Sequence, residues 1–173
     1  MPDPSLRGLT LILGGARSGK SRHAEALAQR HPPPWRYLAT AQALDAEMTA
    51  RIALHRARRP DGWLTAEAPL DLAQALAAAP DGQPVLVDCL TLWLSNVLLA
   101  GRDPEAESDR LAATLAAPRG PWIAVANEVG LGIVPDNALA RRFRDAAGRL
   151  NQAVAAVADE VLLVAAGLPL RLK

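Results

Sequence analysis

The chain is poor in cysteine, in aromatic residues and in long apolar runs, and no sign of charge dominates it. Its single cysteine, Cys89, excludes an internal disulfide and fits a reducing compartment. Aromatic residues make up only 3% of the chain, whereas alanine is abundant, a composition suited to helices packed tightly on a sheet. Nineteen Lys and Arg face 18 Asp and Glu, a formal net charge of +1. That balance argues against a nucleic-acid binder held by phosphate electrostatics. The most apolar stretch, residues 89–101, is about thirteen residues long, and a bilayer span needs about twenty. It reads as a buried helix. The opening Met-Pro-Asp-Pro-Ser lacks a basic segment followed by an apolar run, so no secretory signal is expected and the cytoplasm is the expected location.

What is present is enough for one ordinary core. The 173 residues, half of them hydrophobic, fit a single domain over 1–173. Short apolar runs at 9–13, 35–39, 84–89, 122–126 and 161–164 read as strands, with shorter candidates at 63–66 and 168–173. Between them lie helical patterns at 21–30, at Leu44, Met48, Ile52 and His55, at 69–78, at 90–100, from 104 to about 116, and at 136–157. Asp45 and Glu47 fall in the first turn of the second helix, Pro69 suits a first turn, and Asp136 or Asn137 caps the last helix. Val85, Leu86 and Val87 in succession suit a strand buried on both faces. Strands alternating with helices predict an α/β fold with a mostly parallel sheet flanked by helices.

The segment Gly14, Gly15, Ala16, Arg17, Ser18, Gly19, Lys20, Ser21 satisfies G-x-x-x-x-G-K-[ST] between a strand and a helix. Glycines let successive backbone N–H groups turn toward phosphate oxygens, and the helix that follows adds the positive end of its dipole. Lys20 brings a fixed charge to the β- and γ-phosphates, and Ser21 offers a hydroxyl to Mg²⁺. The expected fold is therefore P-loop NTPase-like, of the RecA-like kind.

Two further positions carry chemistry. Asp88 ends the strand at 84–89, where such enzymes place a carboxylate for Mg²⁺; the competing reading is a cap for the helix after it. His55 lies among Arg51, Arg56, Arg58 and Arg59. A lone histidine near a helix end is usually structural, and an arginine run is usually a solvated face. A neutral imidazole can nevertheless attack a nucleotide α-phosphorus, and guanidinium groups bind phosphoryl oxygens bidentately.

Several segments occur in order: the cradle with Arg22, Arg51-Ile52 to His55 to Arg59-Pro60, Thr65-Ala66-Glu67, Asp88-Cys89-Leu90-Thr91, the run Asn127 to Pro135, and 143–151. Together they resemble the bifunctional adenosylcobinamide kinase / adenosylcobinamide-phosphate guanylyltransferase family of cobalamin biosynthesis. The resemblance implies two reactions. A nucleoside triphosphate, ATP or GTP, phosphorylates the aminopropanol hydroxyl of adenosylcobinamide; GTP then transfers GMP to adenosylcobinamide phosphate. It implies that His55 carries GMP covalently and that guanine nucleotide is held by the cradle, Ala39, Thr40, Ala41, Arg56, Ala57, Arg58, Arg59, Glu67 and Asp88. It also implies a homotrimer with the nucleotide near a subunit boundary. Some relatives have two adjacent histidines where this chain has Leu54-His55, and some have Glu in place of Asp88.

The rival readings are narrower. A generic P-loop small-molecule kinase shares the cradle and Asp88 but forms no covalent nucleotide. A regulatory GTPase would carry Asn-Lys-x-Asp after a late strand, where this chain has Asn127-Glu128-Val129-Gly130. A motor-type ATPase subunit would normally need additional domains. The loop at 127–135 has two readings, a tight turn with Pro135 opening the helix or a substrate-facing loop at the strand ends, and the second is favoured.

Overall fold

The computed structural model describes residues 7–43 and 45–173, with Arg51, His55 and Arg58 described by their backbone alone. Its elements run β1 (Gly8–Gly14), α1 (Lys20–Ala28), β2 (Trp35–Ala39), α2 (Ala46–Arg58), β3 (Trp63–Glu67), α3 (Leu72–Ala77), β4 (Val85–Asp88), α4 (Leu90–Leu99), α5 (Pro104–Leu115), β5 (Pro121–Asn127), α6 (Ala138–Val157), β6 (Glu160–Ala165) and β7 (Leu168–Arg171). The strands form one sheet in the order β3-β2-β4-β5-β1-β6-β7. Neighbouring strands are parallel except for β7, which runs antiparallel to β6.

Both faces of the inner strands β1, β4 and β5 are covered, which is why these strands are largely apolar. Alternate residues divide between the faces. Leu9, Leu11, Leu13, Val85, Val87, Trp122, Ala124 and Ala126 pack with leucines of α3, α4, α5 and α6. Ile12, Leu86, Ile123 and Val125 pack under Ala24 and Ala28 of α1. Each buried leucine-sized side chain stabilises by roughly 1.5–3 kcal/mol. Four helices thus build the larger core on one face, while α1 supports the other. Helix α2 belongs to neither cluster. Its described side chains are all exposed or half-buried.

Some expected boundaries move for identifiable reasons. The helix expected at 69–78 is only Leu72–Ala77. The Pro69 carbonyl instead accepts from Asn96 Nδ2 at 3.0 Å and the Leu70 carbonyl from Trp93 Nε1 at 2.8 Å. Asp45 precedes its helix and caps it, accepting from the Met48 N–H at 2.7 Å. Asn137, not Asp136, caps α6 by accepting from the Ala140 N–H at 2.7 Å. Pro135 lies outside that helix. Leu44, expected on the apolar face of α2, lies outside the described residues.

Candidate active site

The cradle grows out of β1 at the carboxyl edge of the parallel strands, where open α/β sheets bind ligands. Its backbone is tightly determined. Gly19 adopts a left-handed conformation, φ 94°, and caps α1 without a side chain. A Cβ on Gly14 would sit 2.5 Å from Ser18 Oγ and 2.7 Å from the Val164 carbonyl, so only glycine fits there. The β6–β7 turn buttresses the loop from behind, the Gly167 N–H donating to the Ser18 carbonyl at 2.8 Å. Lys20 is buried and donates from Nζ to the Gly15 carbonyl at 2.9 Å, which holds its ammonium over the loop.

A cleft of about 1280 Å³ opens in front of the cradle. Residues 16–22 form one wall, the ends of β2 and β4 form its floor, and α2 forms the opposite wall through Met48, Ile52 and Arg56. The cradle and the basic end of α2 therefore share one cavity.

Asp88 lies in that cleft at the end of β4. It does not cap α4. That role falls to Cys89, whose Sγ accepts from the Leu92 N–H at 3.4 Å. The Asp88 carboxylate instead accepts from the Tyr37 hydroxyl at 2.9 Å. Burial, and after it the adjacent Asp88 carboxylate, hold the Tyr37 proton far above the ordinary phenol range. Tyr37 is thus a permanent donor that orients Asp88. Burial likewise pushes the Cys89 thiol up to about 11. The floor is tied together by Thr40, whose hydroxyl donates to the Cys89 carbonyl at 2.7 Å and accepts from the Cys89 N–H at 2.8 Å.

Arg59 lies over the Tyr37 ring, its guanidinium carbon 3.6 Å from the ring centre. Such stacking contributes on the order of 1 kcal/mol and fixes the plane of the guanidinium. Trp63 closes the same aromatic group, 6.0 Å from Tyr37 and 5.6 Å from Trp35. One Arg59 nitrogen, Nη1, is buried without a hydrogen-bond partner among the described residues. Arg56 pairs with Glu67 at 3.6 Å, both side chains more than half exposed, so the pair contributes little to stability. Tyr37 and this aromatic bracket escape a reading by motifs. The only local signal is that a chain with so few aromatic residues places Trp35 and Tyr37 on one short strand.

Residues 10–172 match the cobinamide kinase / cobinamide phosphate guanyltransferase family. The chain belongs to this family. Curated relatives of the chain are the bifunctional adenosylcobalamin biosynthesis proteins CobP of Pseudomonas aeruginosa and CobU of Salmonella typhimurium. The first is 53% identical and the alignment covers 94% of this chain and 96% of that protein. The second is 47% identical, with coverage of 95% and 99%. CobU of Escherichia coli is 42% identical over 95% of this chain and 99% of its own length. Solved structures agree on the fold. The type III secretion ATPase EscN of enteropathogenic E. coli aligns at TM-score 0.57 and 15% identity, over 95% of this chain and 50% of that one. The flagellar accessory protein FlaH of Methanocaldococcus jannaschii aligns at 0.54 and 12%, over 96% and 78%. The cobinamide kinase / guanyltransferase fold is thus that of the P-loop NTPases.

Of the residues singled out in the sequence, Ala16 to Ser21, Ala39, Ala41, Arg56, Arg59, Glu67 and Asp88 line the one cleft. Gly14 and Gly15 shape the loop behind it. Thr40 is fully buried, so its side chain braces the floor and does not face the cleft. Ala57 is exposed on α2 but is not part of the cleft wall. The backbone of His55 lies in α2, one residue before Arg56; the side chains of His55 and Arg58 lie outside the described residues. Mg²⁺ is satisfied by one or two protein oxygens together with phosphates and water. Ser21 and Asp88 both line the cleft, and a hydroxyl and a carboxylate are oxygen donors of the type that ion takes.

Proposed function

We propose that this chain carries out both activities named for its family, and that the second proceeds through a guanylyl-histidine at His55. The observation that carries this reading is the single cleft shared by the phosphate cradle and α2. A triphosphate on Lys20 and the cradle amides presents its α-phosphorus toward the helix that bears His55. The first reaction phosphorylates the hydroxyl of cobinamide from a nucleoside triphosphate. In the second, a nitrogen of neutral His55 attacks the α-phosphorus of GTP, an N–P bond forms, and the bond to pyrophosphate breaks. An oxygen of cobinamide phosphate then attacks the same phosphorus, the N–P bond breaks, and imidazole leaves.

The groups around the site suit these steps. Lys20 neutralises the triphosphate tail as the pyrophosphate gains charge. Arg56 and Arg59 stand where they can hold the transferring phosphoryl oxygens. Ser21 and Asp88 are the residues that would hold Mg²⁺, which when bound offsets phosphate charge. We assign the enzyme to the cytoplasm and to a homotrimer; α2, whose described side chains are all exposed or half-buried, is the element that leaves surface for a neighbouring subunit. Light scattering on the purified chain tests the trimer; a monodisperse monomer would remove it.

Incubation with Mg²⁺ and GTP labelled in its α-phosphate tests the mechanism. The wild type is expected to take up acid-labile, base-stable label, and His55→Ala is expected to take up none while still binding nucleotide. Full labelling of His55→Ala would move the nucleophile elsewhere. A wild type that phosphorylates cobinamide but never takes up label would leave the generic kinase reading.

A further inference from the structure

The carboxamide of Asn127 has no role in the steps above, yet the residue lines the cleft at the end of the strand between the cradle and Asp88. β5 lies between β1, which carries the cradle, and β4, which carries Asp88. In register, Asn127 pairs with Gly14 on one side, and Val125 pairs with Asp88 on the other. Ile123 and Val125 face α1, so the period of two puts Asn127 on that same face. Leu86 faces α1 as well, which puts Asp88 there too. Asn127 therefore stands on the α1 side of the sheet, between the start of the cradle and the carboxylate, and it lines the cleft.

Its backbone is held on both sides. The N–H donates to Thr91 Oγ1 at 2.7 Å, and the carbonyl accepts from Asn151 Nδ2 at 3.3 Å. The side chain is the exception, because Oδ1 is buried without a hydrogen-bond partner among the described residues. Leaving such an atom unpaired costs free energy, and native structures seldom do so without a functional reason. A half-turn of the carboxamide exchanges its oxygen and its amide, so either end can serve a ligand.

We propose that Asn127 is a catalytic residue of the phosphoryl-transfer step, its carboxamide hydrogen-bonding the γ-phosphate of the triphosphate in the cradle. This rests on the functional reading above. A P-loop lysine engages the β- and γ-phosphates, and the strand-end carboxylate serves the metal that bridges them. Asn127 stands between the strands that supply both. In the first reaction the cobinamide hydroxyl oxygen bonds to the γ-phosphorus, the bond to the β–γ bridging oxygen breaks, the nucleoside diphosphate leaves, and the hydroxyl proton passes to solvent. Charge shifts on the γ-phosphoryl oxygens throughout, so a donor fixed at that group stabilises the transition state. In guanylyl transfer the same phosphate only departs within pyrophosphate, and Asn127 matters less.

The test compares wild type, Asn127→Ala and the isosteric Asn127→Asp. Three quantities are read: turnover in cobinamide phosphorylation, α-label uptake from GTP, and binding of GDP against a non-hydrolysable GTP analogue. For Asn127→Ala, kcat of phosphorylation is expected to fall on the order of 100-fold. GDP affinity is expected to stay within about threefold and analogue affinity to fall roughly tenfold, while α-labelling at saturating GTP is expected to fall far less than phosphorylation. Asn127→Asp, which keeps the shape but sets a carboxylate against phosphate, is expected to lose at least as much. Equal loss of both reactions and of GDP binding would reduce Asn127 to a structural role and overturn the proposal. So would phosphorylation within threefold of wild type together with unchanged analogue affinity. The binding arm needs no turnover, so it judges Asn127 even if the wild type fails to phosphorylate cobinamide or to take up label.

Discussion

At the scale of single residues, Asp88, Cys89 and Tyr37 divide tasks that a motif assigns to one position. Cys89 caps the helix, Tyr37 orients the carboxylate, and Asp88 is left to face the cleft. The cradle and Asp88 were legible because their spacing from strand ends is a local property. Tyr37 was not, because its meaning depends on β2 lying beside β4, which no local window contains. The competing reading of Asp88 as a cap fails for a related reason: both Asp88 and Cys89 stand before the first turn, and only the backbone decides which side chain turns back. The buried thiol gives a prediction. Its folded value near 11 exceeds its ordinary 9.0, so the folded state keeps a proton that the unfolded state has released. Its contribution is complete below about pH 9 and is lost as pH rises toward 11, a change on the order of 2 kcal/mol. Urea titrations from pH 8 to 11 check this. Cys89→Ala is expected to flatten part of the alkaline decline, and an unchanged slope would contradict it.

At the scale of elements, α2 differs from every other helix. α1 and α3 to α6 each bury a face, whereas α2 shows only Met48 and Ile52 half-buried among its described side chains. A helix with so little burial opens at low free-energy cost. Its backbone amides are expected to exchange with deuterium at least about tenfold faster than those of α4, and GTP is expected to slow them. Exchange mass spectrometry on peptides spanning 46–58 reads both effects, and protection in α2 equal to that of α4 without nucleotide would refute the first. The presence of α2 was legible from its apolar spacing. Its detachment was not, since amphipathic spacing says that a face is apolar and not whether anything covers it. The short α3 was hidden for the opposite reason, because side chains of α4 capture the carbonyls that would have extended it.

At the scale of the whole molecule, alternating strands and helices were enough to predict a parallel α/β sheet, but strand order was not written in any segment. Burial on both faces reads the same in every inner strand, so sequence pattern alone cannot place β5 beside β1 or send β6 to its other side. The antiparallel β7 adds a support that is remote in sequence, through Gly167 behind the cradle. Gly167 has φ 77°, which proline cannot adopt, and its N–H is the donor to Ser18. Gly167→Pro is therefore expected to weaken nucleotide binding about tenfold while the far-ultraviolet circular dichroism stays that of the wild type. Calorimetric titration with GDP measures the loss, and full affinity would show that the turn is dispensable.

The position of β1 between β5 and β6 also orders events during synthesis. The glycine-lysine loop is synthesised before either of the strands that flank β1 in the sheet. A growing chain therefore carries its signature motif before that motif can grip a nucleotide, and capture has to wait until β5 and β6 have emerged and docked on either side of β1.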